Sequence, residues 1–154
     1  MDPVQLMVPA AVRKQAQFLA ISFGGFAAME TWEALVWLSI STARGLILLF
    51  FACAILWVAM ALRCVSEART NKEFNRSRSV RTFGLSMGLS FLNVGWSLFW
   101  MLADAVGMNM NGYTSATHSW WVLAIPLGGL AMAVWSIVTL FAAWNGFRWS
   151  RKPA

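Results

Sequence analysis

The chain has 154 residues, of which 59% are hydrophobic and 12% charged, with a formal net charge of +6. A soluble domain carries about 25% charged residues, and a core this apolar leaves too little polar surface to cover it, so a water-soluble globular fold is excluded and lipid is the expected solvent. The positive balance then reflects membrane topology and anionic lipid, since each Lys or Arg near such a surface gains about 1 kcal/mol; no nucleic-acid partner is expected.

Met1, Asp2, Pro3, Val4 and Gln5 open the chain without a positive stretch leading into an apolar one, so no cleavable signal peptide is predicted. The first predicted span covers residues 18–40, long enough for the roughly 20 residues that a crossing needs. It contains Glu30 and Glu33. Acids near a helix centre cost about 2.5–3.5 kcal/mol each on insertion scales, so both are expected to face protein or water. Gly24 and Gly25 read as close helix packing. An alternative lays residues 10–29 flat on the surface and leaves three crossings. It would put the 63–82 link and the basic C-terminal cluster on opposite faces, against the retention of Lys and Arg in the cytoplasm.

The second span, residues 45–62, is uncharged between Arg44 and Arg63. Cys53 lies in it and Cys64 just beyond. On one helix they stand about 16 Å apart at about 1.5 Å per residue, too far for a disulfide, and they read as packing cysteines. The helix is predicted to continue inward through Ala68. The link 63–82 sets Arg63, Arg69, Lys72, Arg76, Arg78 and Arg81 against Glu67 and Glu73. Its Arg76-Ser77-Arg78-Ser79 stretch is read as polar and mobile. The link is expected to define topology and to meet anionic lipid or an acidic cytosolic partner. The sequon Asn75-Arg76-Ser77 falls on this cytoplasmic side, where it is not glycosylated.

The third span, residues 83–105, carries two stripes. At about 100° per residue, Ser86, Ser90, Asn93, Ser97 and Asp104 fall within about 60° of one another. Gly84, Gly88 and Gly95 form a second stripe opposite, suited to close helix approach. The third helix is therefore expected to be central and contacted on both sides. The polar stripe serves interhelical hydrogen bonds of about 0.6 kcal/mol each, or alternatively a hydrated path for an ion, proton or small solute.

The outer loop offers Met108, Met110 and His118, a soft ligand set for Cu(I) if the segment is extended; Asn111-Gly112 marks a turn. A single His rules out a bis-His haem held by this chain alone. The sequence shows no phosphate-binding glycine loop and no paired His/Glu motif. No catalytic residue and no cofactor are expected. The fourth span, residues 119–144, contains Pro126 near its outer end, a point for a kink. Its Gly128, Gly129 and Ala133 are predicted to meet the glycine stripe. Of ten tryptophans, Trp37, Trp96, Trp100, Trp120 and Trp121 fall in the outer half and Trp144 and Trp149 at the inner end, the headgroup levels that indoles favour.

With four crossings, all of the twelve Lys and Arg residues except Arg44 lie on one side. The predicted fold is an all-α, four-helix transmembrane bundle forming a single membrane domain, with cytoplasmic N- and C-termini, in a bacterial inner membrane. Glu33 or Asp104 is expected to pair with Arg44 as a structural ion pair; unpaired, either is a proton-binding acid. The functional expectation is a non-catalytic subunit or accessory protein of a larger membrane assembly, or a homo-oligomer. The alternative is a small oligomeric channel or transporter using Glu30, Glu33, Asp104 and the polar stripe. A periplasmic-face copper-handling role is the third reading.

Overall fold

The computed structural model of the chain describes residues 9–40, 44–69, 74–110 and 121–151. Their regular structure is entirely helical: α1 Ala10–Ile40, α2 Arg44–Ala68, α3 Arg76–Met110 and α4 Trp121–Arg151. Helix α2 ends at Ala68, where the sequence places its inward extension. Helix α1 starts directly after Pro9, whose carbonyl accepts the Arg13 N–H at 3.0 Å.

Three helices contain segments long and apolar enough to cross a membrane: Ile47–Ala68, Arg76–Leu102 and Leu127–Arg151. This is consistent with a membrane protein. Helix α1 has 31 residues, ample length for a crossing, but it is not among the three by composition. Arg13, Lys14, Glu30 and Glu33 all lie on it.

The chain divides into two compact units, Met1–Ser86 with Ala142–Ala154, and Met87–Phe141. In the first unit, α1 packs along α2. Each contributes a seam of buried residues three and four apart: Val12, Ala16, Leu19, Phe23, Phe26, Glu30 and Ala34 on α1, and Ile47, Phe50, Ala54, Trp57, Met60, Cys64 and Glu67 on α2. That spacing keeps one face of a helix against its neighbour. At the middle of the seam the Trp57 indole stacks on Phe23, with centroids 5.6 Å apart and planes 7° apart, and meets Phe26 edge-on at 5.6 Å. The opposite faces are apolar and open: Ile21 is 73% exposed and Ile55 71%. Single exposed apolar residues are ordinary in water, but continuous apolar faces mark contact with membrane or partner.

The same unit holds the start of α3 and the end of α4. Phe83 is fully buried and lies over Gly146 of α4. Gly146 supplies the space for that ring, since a Cβ there would clash with its Cδ1, Cε1 and Cζ atoms. In the second unit, α3 and α4 approach closely at Gly129, where a Cβ would stand 3.1 Å from Met101 Cβ and 3.3 Å from the Ser97 carbonyl oxygen.

Candidate functional site

The first turn of α3 is built by Asn75. Its side-chain Oδ1 accepts the Arg78 backbone N–H at 3.0 Å and its carbonyl accepts that of Ser79 at 3.0 Å. An Asn N-cap satisfies donors that a helix start leaves open, typically contributing about 1 kcal/mol. The Arg76-Ser77-Arg78-Ser79 stretch, expected to be a mobile link, is therefore helical, and the cap directs Arg78 and Ser79 at α2.

A polar cluster joins the two helices there. Arg78 Nε lies 2.8 Å from Glu67 Oε1, and Arg78 Nη2 donates to Ser66 Oγ at 2.8 Å. Ser79 Oγ donates to Glu67 Oε2 at 2.7 Å. One turn further, Arg63 Nε donates to Thr82 Oγ1 at 2.9 Å, while Thr82 Oγ1 donates to the Arg78 carbonyl at 3.0 Å. Ser86 Oγ donates to the Thr82 carbonyl at 2.9 Å, with Cys64 Sγ 3.9 Å from that hydroxyl. Glu67 is buried, and both its oxygens face donors from α3. The sequence reading placed Glu67 in the link as one of two acids among basic residues and missed this role. A signal existed: Glu67 continues the buried seam three residues after Cys64.

The predicted polar stripe is a buried surface of α3. Ser86, Ser90, Asn93 and Ser97 are all buried, and Ser79 and Thr82 extend the same row toward the helix start. In the second unit, Asn93 Nδ2 donates to Ser136 Oγ of α4 at 2.9 Å, and Ser136 Oγ donates to the Met132 carbonyl at 2.7 Å. Thr139 likewise closes on the Trp135 carbonyl at 2.8 Å. Facing residues on α4 are small: Ala133, Ser136 and Thr139 are buried. A pair of variants separates the two ends of the interhelical bond. Ser136→Ala strands the buried Asn93 amide and should destabilise by about 1–3 kcal/mol. Asn93→Leu leaves Ser136 bonded to its own helix and should cost nearer the 0.6 kcal/mol typical of such bonds in lipid. Unfolding in mild detergent reads both; equal costs would refute the assignment of Asn93 as donor.

The glycine stripe lies elsewhere than expected. A Cβ added at Gly84 would stand 3.9 Å from the Phe147 ring of α4, while Gly88 and Gly95 are exposed and a Cβ at either would meet no other helix within 4 Å. The α3–α4 approach uses Gly129 against Ser97 and Met101 and, separately, Gly146 against Phe83. Gly128 is half-buried with open space around it, and Gly24 and Gly25 are exposed and equally open. On α3, Asn93 bonds Ser136 of α4 and Ser79, Thr82 and Ser86 meet residues of α2, and Gly88 and Gly95 fall on the exposed side.

Of the acids, Glu30 is 2% exposed and sits in the α1 seam, and Glu33 is half-buried one turn on. Arg44 stands exposed at the start of α2. An ion pair joins Glu67 and Arg78. Asp104 lies on α3, its side chain outside the described residues. The backbone through Met108 and Met110 is helical, whereas the two-sulfur arrangement needs an extended segment; His118 and the Asn111-Gly112 turn lie outside the described residues, as do Lys72 and Glu73. Among the described residues no group of three or more His, Cys, Asp or Glu side chains is placed to hold a metal ion. Cys53 and Cys64 are free thiols.

The aromatic residues form two further groups. Trp96 meets Trp100 edge-on at 5.5 Å, and Phe99 meets Trp100 at 5.6 Å. At the end of α4, Trp144 stacks on Phe147 at 6.1 Å, and the Arg151 guanidinium lies 4.5 Å over the Phe147 ring. The polar bonds hold helices together: Thr82, Ser86, Ser136, Thr139 and Ser150 close on carbonyls of their own helix, Asn93 reaches Ser136, and Glu67 pairs with Arg78 across α2 and α3. Comparison with protein-family models, curated proteins and solved structures finds no match to the chain.

Proposed function

We propose that the protein is a non-catalytic, multi-pass subunit or accessory protein of a larger membrane assembly, in a bacterial inner membrane. In this reading the chain crosses four times, with both ends in the cytoplasm. Helix α1 is the fourth crossing. Its composition counts against it only if its acids face lipid, and Glu30 is held in the α2-facing seam. The charge pattern agrees. Arg13 and Lys14 lie at the start of α1, Arg63 near the end of α2 and Arg69 just beyond it, Arg76, Arg78 and Arg81 at the start of α3, and Arg148 and Arg151 at the end of α4. These are the four helix ends that antiparallel crossings gather on one face, and Lys and Arg are retained in the cytoplasm.

One observation carries the subunit reading: α3 keeps its Ser/Asn row inside the chain and leaves Gly88 and Gly95 open on its outer side. Small residues allow the close backbone approach that drives helix association in lipid. A helix of a partner subunit, or of a second copy, fits that side. The channel reading has its own support, because Ser90 Oγ and Asn93 Oδ1 are buried without a hydrogen-bond partner, and such a pair can take up water.

Purification in mild detergent from the native host, with wild type, Gly88→Leu and Phe91→Leu compared, tests the choice. Gly88→Leu should lose its co-purifying membrane protein or its self-association while the folded monomer persists, and Phe91→Leu should retain it. Proton or cation flux in liposomes that vanishes in Glu33→Gln or Asp104→Asn at unchanged stability would make the chain a channel or transporter instead.

A further inference from the structure

The meeting point of the α3 start and the α4 end carries two guanidinium groups whose positions the fold constrains. Arg76 Nη2 donates to the main-chain carbonyl of Arg151. This brings an α3 cation to the negative end of the α4 dipole and satisfies one of its terminal carbonyls. Arg151 in turn lies over the Phe147 ring at 4.5 Å, and Phe147 stacks on Trp144. Each contact uses one face or one donor of a guanidinium that has five N–H groups. Both side chains are exposed, as is neighbouring Arg148.

Glu67, the acid nearest along the described chain, does not offset these charges. It is buried and engaged by Arg78 and Ser79. Trp144 and Trp149 flank the cluster on α4, and indoles settle at headgroup depth. In the topology proposed above, Arg148 and Arg151 then fall at the level of lipid phosphates. Guanidinium groups match a phosphodiester through parallel N–H bonds and are weakly hydrated, which suits that boundary.

We propose that the junction of α3 and α4 binds the headgroup phosphate of an anionic phospholipid, clasped by Arg76 and Arg151 with Arg148 beside them. The reading rests on the membrane topology proposed above but not on the identity of any partner subunit. Bound there, the lipid bridges two helices that the covalent chain joins only at their far ends.

The test is native mass spectrometry of the full chain released from detergent micelles doped with phosphatidylglycerol or with phosphatidylcholine. Arg151→Gln is the clean variant, because the carbonyl that Arg76 uses belongs to the main chain and survives the substitution. Arg76→Gln is the second, and Arg69→Gln removes the same charge from the end of α2. Wild type should retain phosphatidylglycerol and shed phosphatidylcholine. Arg151→Gln and Arg76→Gln should weaken that retention by at least about tenfold, given the strength of charge-assisted bonds to phosphate, while Arg69→Gln leaves it within about twofold. Equal loss in all three variants would show diffuse attraction to a basic face and overturn the site. So would undiminished retention in Arg151→Gln, equal retention of phosphatidylcholine, or displacement by millimolar inorganic phosphate. Loss of a co-purifying subunit in any of these variants bears on the functional reading alone and leaves this comparison intact.

Discussion

Gly146→Ala should destabilise the protein by about 1–3 kcal/mol, the usual cost of forcing volume into a filled interior. A Cβ at this position overlaps three atoms of the Phe83 ring, and that ring is itself fully buried, so it cannot swing into open space. Thr82 on α3 and Ser150 on α4 are also fully buried, and Ser150 Oγ is tied to the Gly146 carbonyl at 2.8 Å, which limits retreat of the α4 backbone. A double-mutant cycle isolates the clash. Phe83→Leu removes the Cε and Cζ atoms and by itself opens a cavity. Combined with Gly146→Ala, the added methyl takes part of the vacated volume, so the double variant should be more stable than the sum of the single effects predicts. Thermal unfolding in detergent measures all four species. Wild-type stability in Gly146→Ala, with the cycle additive, would show that Phe83 rearranges freely and that the close approach at this point is incidental.

Much of the helical plan was legible because long apolar runs bounded by charge are a local feature of sequence. An uncharged run between Arg44 and Arg63 reads as a helix without any knowledge of its neighbours, and the extension through Ala68 follows from good helix formers beyond it. The Ser86, Ser90, Asn93 and Ser97 row was legible as one face because periodicity is local. What that face touches was not, since two faces of α3 both looked dedicated and only their partners distinguish them. Asn93 of the polar row bonds Ser136 of α4 and Ser86 lies beside Cys64 of α2, while Gly88 and Gly95 are exposed. Gly146 passed unnoticed because nothing near it in sequence announces a buried aromatic ring from another helix. The Arg76-Ser77-Arg78-Ser79 stretch was misread for a related reason. Its composition is that of a loop, and it becomes a helix start through the Asn75 cap and through Glu67 on α2, contacts that span the link. Helix α1 is the converse case. Its acids disqualify it by composition, and the burial of Glu30 depends on the neighbouring helix.

The α1–α2 and α2–α3 contacts also differ in what holds them. Between α1 and α2 the contact is aromatic and aliphatic, centred on Phe23, Phe26 and Trp57. In lipid such surfaces gain packing but little from leaving solvent, because acyl chains are as apolar as the side chains. Between α2 and α3 the cluster around Glu67 is directional and charged. That part of the fold should be the more sensitive to a single polar substitution.

The two partners of the Glu67–Arg78 pair should therefore respond unequally to removal. Arg78 has a side chain 40% exposed, whereas that of Glu67 is 7% exposed. Without Glu67, Arg78 keeps its bond to Ser66 and can turn toward water or headgroup phosphate. Glu67→Gln should accordingly cost about 1 kcal/mol or less, the range of a solvent-screened pair. Arg78→Ala leaves a buried carboxylate with Ser79 Oγ as its remaining cross-helix donor. A buried charge without its partner costs about 3–5 kcal/mol where solvent is fully excluded; water reaching through the space left by Arg78 lowers this to about 2–3 kcal/mol. The double variant, Glu67→Gln with Arg78→Ala, should recover most of the loss, since the amide no longer needs a cation. Unfolding midpoints in detergent for the two single variants and the double variant decide the matter. Equal losses in the two single variants, with no recovery in the double, would mean that the pair is solvated in the membrane and that Asn75 and the Ser79 hydroxyl hold the start of α3 without it.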